Sequence, residues 1–67
     1  MKHSLTSREL EIARLISRDR PTKEIALTLC LSPKTVESYR TEIHKKLGTH
    51  SPIGIARYIW QLEGLNI

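Results

Sequence analysis

Three prolines, Pro21, Pro33 and Pro52, divide this chain into four segments too short for anything but small helices joined by tight turns. A proline cannot continue a helix under way, yet its fixed φ suits the first position of a new one. Ser32–Pro33 and Ser51–Pro52 each place before that ring a serine able to accept the orphan amides of a helix start. A third start, of another kind, stands at Thr6, where Thr6 and Glu9 spell the T-x-x-E capping box. Pro21 ends the first segment and disfavours a helical Arg20. Thr22 is then placed to cap a short second helix, and Gly48 and Gly64 supply stops. Helices are expected at about 6–18, 22–29, 33–47 and 52–63.

The apolar residues repeat at helical spacing inside each segment. Ile12, Ala13 and Ile16, with Leu15 alongside, form the first inward stripe, and Ile25, Ala26 and Leu29 the second. Val36, Ile43 and Leu47 fix the third, with Tyr39 at its edge; Ile55, Ala56, Ile59 and Leu62 make the fourth. Leu10 falls outside these stripes and reads as a second sticky point. No segment alternates like a strand. The expectation is an all-α fold, a compact four-helix bundle containing a helix-turn-helix, with residues 1–67 as one domain. At 67 residues the chain is near the lower limit for folding without a staple. Its one cysteine, Cys30, excludes an intramolecular disulfide and argues against a cysteine-rich zinc site. No apolar run approaches the roughly 20 residues that span a bilayer, and the N-terminus lacks a signal-peptide core. Met1 reads equally as a native start or as the first residue of an excised domain. A cytoplasmic location without membrane contact is expected.

The functional signal lies in the second and third segments. Only Cys30 to Pro33 separate them, the spacing of a helix-turn-helix. At about 100° per residue, Val36, Ile43 and Leu47 share one side of the third helix. Lys34, Glu37, Ser38, Thr41 and Lys45 fall on the opposite arc, which carries no large apolar residue. An ordinary solvated face looks similar in isolation. The short preceding helix, the tight turn and the basic flanks favour a face made for the major groove, about 12 Å wide. Eleven Lys and Arg against seven Asp and Glu, a net charge of +4, also suit a polyanionic partner, nucleic acid or an anionic membrane.

The stretches "LTSRELE", "KEIALTL" and "LSPKTVESYRTEIHKKLG" resemble the LuxR-type (GerE-like) DNA-binding domain of bacterial transcription regulators. That pattern runs L-T-x-R-E, then N/K-x-E-I-A-x-x-L, then S-x-x-T-V-x-x-H/Y-x-x-x-I-x-x-K-L-G, and the likeness extends from Leu5 to Leu65. It implies a third helix that enters the major groove of double-stranded DNA and a fourth that dimerises. It further implies base reading by Glu37, Ser38 and Thr41, and phosphate contacts from Lys23, Lys34, Thr35, Tyr39, Arg40, Lys45 and Lys46. Thr6, Arg8 and Glu9 match a framework motif. Relatives often carry an N-terminal receiver or ligand-binding domain, while a few stand alone, and RNA polymerase is a further partner of such regulators.

Several positions depart from the pattern. Asp19 replaces a glycine after the first helix, Pro21 and Thr22 replace Ser-Asn, and Pro52 stands where many relatives have arginine. The final "GL" comes one residue late, which leaves the register of the fourth helix open. Glu37 repels phosphate, so on a reading face it either accepts from a cytosine amino group or pairs along the helix with Lys34 or Lys45. Tyr39 reads equally as a phosphate donor and as a ring packed beside Arg40. Cys30 is expected to be a buried structural thiol. His3, His44 and His50 have no ligand spacing with one another or with Cys30, so no metal and no cofactor are expected. Tyr58 and Trp60 flank the fourth stripe and suggest a homodimer interface, although Trp60 also suits a role covering the end of the bundle. No nucleophile–base pair and no glycine-rich phosphate loop argue for an enzyme. Two other functions fit the same residues: a sigma-factor promoter-binding domain, and a protein-interaction module that kept the fold but lost DNA binding. The "KKLGTHS" ending followed by a full fourth helix favours the LuxR-type reading over the sigma factor.

Overall fold

Four helix starts, each set by its own local chemistry, determine where the backbone turns. The computed structural model describes residues 4–64; Met1, His3 and Leu65, noted above, lie outside the described residues. Helix α1 runs Ser7–Ser17, α2 Thr22–Leu29, α3 Pro33–Leu47 and α4 Pro52–Leu62, and no strand occurs among the described residues. The chain is all-α, a four-helix bundle in which α2 and α3 form the helix-turn-helix.

The capping box at α1 is reciprocal. The Thr6 amide donates to Glu9 Oε1 at 2.8 Å, and the Glu9 amide donates to Thr6 Oγ1 at 3.2 Å. Leu5 precedes the cap and Leu10 follows it in the first turn, the positions of a hydrophobic staple. Both lie against the core, so Leu10 is not the free sticky point its phase suggested. Ser32 caps α3 through the Thr35 amide at 3.1 Å, and Ser51 caps α4 through the Gly54 amide at 3.4 Å. At α2, Pro21 takes the cap position and Thr22 becomes the first helical residue, so the Thr22 hydroxyl caps nothing. This corrects the expected cap, because the extended backbone of Pro21 (φ −72°, ψ 160°) already sets the entry angle.

The first three helices end alike, with paired i→i−5 and i→i−3 amide bonds. Arg20 and Asp19 donate to the carbonyls of Leu15 and Ile16, Leu31 and Cys30 to Ala26 and Leu27, Thr49 and Gly48 to His44 and Lys45. Such an ending needs one left-handed residue. Gly48 (φ 65°) supplies it after α3, but Asp19 (φ 62°) and Cys30 (φ 58°) supply it after α1 and α2. The glycine missing from the first loop is thus replaced by a residue type that tolerates this region. Cys30 is exposed rather than buried, because the left-handed turn directs its side chain outward.

Packing converges on six large, fully buried side chains, Ile12, Ile25, Val36, Ile43, Ile55 and Ile59, with at least one from every helix. Helix α1 packs chiefly on α4 and α3, and α2 chiefly on α3. Leu15, Leu29, Leu47, Tyr39 and Tyr58 are half-buried around this cluster. Leu62 shares the phase of Ile55 but is 52% exposed, since the buried cluster ends at Ile59. Gly54 lets the start of α4 approach the preceding loop: a Cβ there would stand 2.6 Å from the Thr49 Cβ. No helix among the described residues is long and apolar enough to cross a membrane.

Candidate nucleic-acid interface

Because α2 and α1 hold α3 from one side through Val36 and Ile43, its opposite side is free. Lys34, Glu37, Ser38, Thr41 and Lys45 are all exposed there, as the helical phase required. The Thr41 hydroxyl turns back to donate to the Glu37 carbonyl at 3.1 Å. The Thr35 hydroxyl accepts from Ser32 Oγ at 2.9 Å, which ties it to the cap of α3. Glu37 does not pair with Lys34 or Lys45; its Oε2 accepts from the Thr22 hydroxyl on α2. Lys45 pairs loosely with Glu42 at 3.6 Å and keeps its side chain 73% exposed.

Lys46 behaves differently from its neighbour. Its Nζ donates to Glu9 Oε1 at 2.9 Å, and the two side chains are only 27% and 6% exposed. Burial by itself would raise the Glu9 pKa, but the Lys46 hydrogen bond and the Thr6 amide outweigh it and hold the carboxyl below its ordinary 4.5. Lys46 thus ties the end of α3 to the start of α1, with one of its three N–H donors directed at Glu9.

Five cations make no ion pair among the described residues: Arg18, Lys23, Lys34, Arg40 and Arg57. Three of them, Lys23, Lys34 and Arg40, lie on the helix-turn-helix. Elsewhere Arg8 pairs with Glu11, Arg14 with Glu63 and Arg20 with Glu24. Arg40 is half-buried in a cleft with Asp19, Pro21, Thr22 and Pro52, where the first loop meets the start of α4. The Tyr39 ring packs against the core and borders a shallow groove with Glu9, Thr35, Ser38 and Glu42. At the foot of the open arc, Thr41, His44, Lys45, Gly48, Thr49 and His50 line a second depression, and His44 Nδ1 donates to the Thr49 carbonyl at 3.1 Å. No group of three or more metal-binding side chains assembles among the described residues.

The two aromatic positions on α4 separate. Tyr58 is half-buried against the chain's own core, while Trp60 is 40% exposed. Ile53, 65% exposed, lies seven residues before Trp60 and on the same side, with exposed Arg57 between them. Reading the residues alone found Trp60 but missed Ile53, whose i, i+4, i+7 relation to Arg57 and Trp60 was the available signal. It also missed Thr22, fifteen residues from the carboxylate it holds.

Comparison with known proteins agrees with this geometry. The family described as bacterial regulatory proteins, luxR family, matches residues 3–59. The uncharacterized response regulatory protein YgeK of Escherichia coli K12 is 49% identical over 55 residues, covering 82% of this chain and 37% of that protein. The response regulator GacA of Pseudomonas aeruginosa is 43% identical over 53 residues (79% of this chain, 25% of GacA). The transcriptional regulatory protein UhpA of E. coli K12 is 42% identical over 53 residues (79% of this chain, 27% of UhpA). The chain therefore spans between a quarter and just over a third of the length of these curated relatives. No solved structure gives a significant match. With the family pattern laid over an all-α helix-turn-helix, the chain belongs to the luxR family of bacterial regulatory proteins, as a DNA-binding module of transcription regulation.

Proposed function

We propose that residues 1–67 form a domain that binds double-stranded DNA sequence-specifically, with α3 in the major groove, as a homodimer on a two-fold site. The observation that carries this reading is the exposed polar arc of α3 bordered by Lys23, Lys34 and Arg40, which make no ion pair among the described residues. In it Glu37, Ser38 and Thr41 read bases. Lys23, Lys34, Thr35, Tyr39, Arg40, Lys45 and Lys46 approach phosphates, Lys46 also serving the fold through Glu9. Self-association uses the outward face of α4 at Ile53 and Trp60, with Tyr58 supporting it from within. Two such domains would set their recognition helices about one helical turn, roughly 34 Å, apart. Because relatives of greater length are named response regulators, the domain acts as the output module of such a protein or as a stand-alone regulator, with RNA polymerase as a further partner. It performs no catalysis of its own.

The test is an NMR titration of the chain with random-sequence duplex DNA at two salt concentrations. Shifts confined to Lys23, Ser32 to Thr41 and Lys45 that fade with salt support the reading. The affinity should fall with a log–log slope of about −0.9 per phosphate for about four to six contacts per subunit. Salt-independent affinity, or broadening at Trp60 and Ile53 alone, would instead favour a protein-interaction module.

A further inference from the structure

We infer that Thr22 is a positioning residue for base reading: it holds the Glu37 carboxylate so that the free oxygen meets an exocyclic amino group, cytosine N4 above all. The inference rests on the DNA-binding reading above. Pro21 caps α2, so the Thr22 hydroxyl has no capping duty, and it donates to Glu37 Oε2 across the helix-turn-helix. Glu37 makes no ion pair among the described residues, so this bond is what restrains its carboxylate. One oxygen is committed to Thr22, the residue is exposed, and Oε1 makes no hydrogen bond among the described residues.

An ionised carboxylate only accepts hydrogen bonds. The guanine edge and thymine O4 offer acceptors and repel it, which leaves the amino groups of cytosine and adenine. Adenine carries its N7 acceptor beside N6, so cytosine meets the carboxylate with the least repulsion. A glutamate at an exposed site otherwise samples many rotamers. Fixing it before DNA arrives removes part of the ordering cost of the complex and narrows the geometry that is read. Helix α2 thereby contributes to specificity without itself touching a base.

The experiment passes wild type, Thr22→Val, Thr22→Ser and Glu37→Ala over a pool of short duplexes with a randomised core, sequenced before and after retention. Affinity for the unselected pool is measured beside it, and Thr22→Ala serves if the valine variant unfolds. Wild type should prefer cytosine at one position, and Thr22→Val should weaken that preference by about five- to tenfold. Thr22→Ser should retain it, Glu37→Ala should erase it at the same position, and affinity of the Thr22 variants for the unselected pool should stay within about twofold of wild type. An unchanged preference in both hydroxyl-free variants, or a loss spread evenly over all positions, overturns the inference while leaving DNA binding intact. If wild type retains no duplex above background, the DNA-binding reading falls and this inference falls with it.

Discussion

Helices α3 and α4 start in the same way, Ser-Pro after a turn, and turn comparable apolar sides inward, yet their outward sides are opposites. Outside α3 stand Lys34, Glu37, Ser38, Thr41 and Lys45; outside α4 stand Ile53, Arg57 and Trp60. A short amphipathic helix needs only one side for the core, and the residues on the other side are free to suit a partner. A polar side with short hydrogen-bonding groups fits a wet, charged groove, whereas an apolar side fits another protein surface. The same bundle therefore presents two faces of different chemistry.

If the inward sides are equivalent, Ile43→Ala and Ile59→Ala should cost alike, about 2–5 kcal/mol each by urea unfolding. A cheap loss at one of them would show that one helix is held mainly by other contacts. The outward sides should separate next. Lys34→Ala with Arg40→Ala should lower affinity for duplexes of any sequence by about ten- to a hundredfold, ~1.4–2.8 kcal/mol. The salt slope should become shallower by about 1.8. Ile53→Asp with Trp60→Ser should leave that slope per subunit unchanged and remove self-association in sedimentation; a changed slope would end the distinction. Gly54→Ala should destabilise by about 1–3 kcal/mol in thermal unfolding, because α4 starts hard against Thr49 of its preceding loop.

A pH series probes the tie between α3 and α1. Glu9 has a folded pKa below its ordinary 4.5, so its contribution is complete above that value and disappears as pH falls through the folded pKa. Wild type should lose stability in acid beyond what Glu9→Gln loses; parallel curves would mean that Lys46 and Thr6 together do not outweigh the cost of burying Glu9. Smallest of all, Asp19→Gly should stabilise by less than about 1 kcal/mol, the relief of left-handed strain being offset by a freer unfolded chain.

The all-α bundle was legible because its signals are local. Thr6 with Glu9, Ser32 with Pro33 and Ser51 with Pro52 each act within three residues, and the inward stripes repeat within single helices. What escaped reading depends on which helices meet. Nothing near Thr22 announces Glu37, and nothing near Lys46 distinguishes it from Lys45; only the packing of α2 and α1 on α3 assigns them. Cys30 was misplaced for a related reason, since its thiol suggested burial while the amide pattern of the turn required a left-handed residue. The exposed arc on α3 was readable by phase, but its cation balance emerged only once the ion pairs elsewhere were formed.

The six largest fully buried side chains are five isoleucines and a valine, with no phenylalanine in the whole chain. Branching at Cβ restricts these side chains to few rotamers even before folding. An isoleucine surrenders about 0.5–1 kcal/mol of rotamer freedom on burial, where a methionine surrenders up to about 2. In so small a bundle that difference, repeated at each of these six positions, favours one rigid interior over a shifting one. Two faces built on that interior keep a fixed angle to each other, and any assembly that engages both at once has to match that angle.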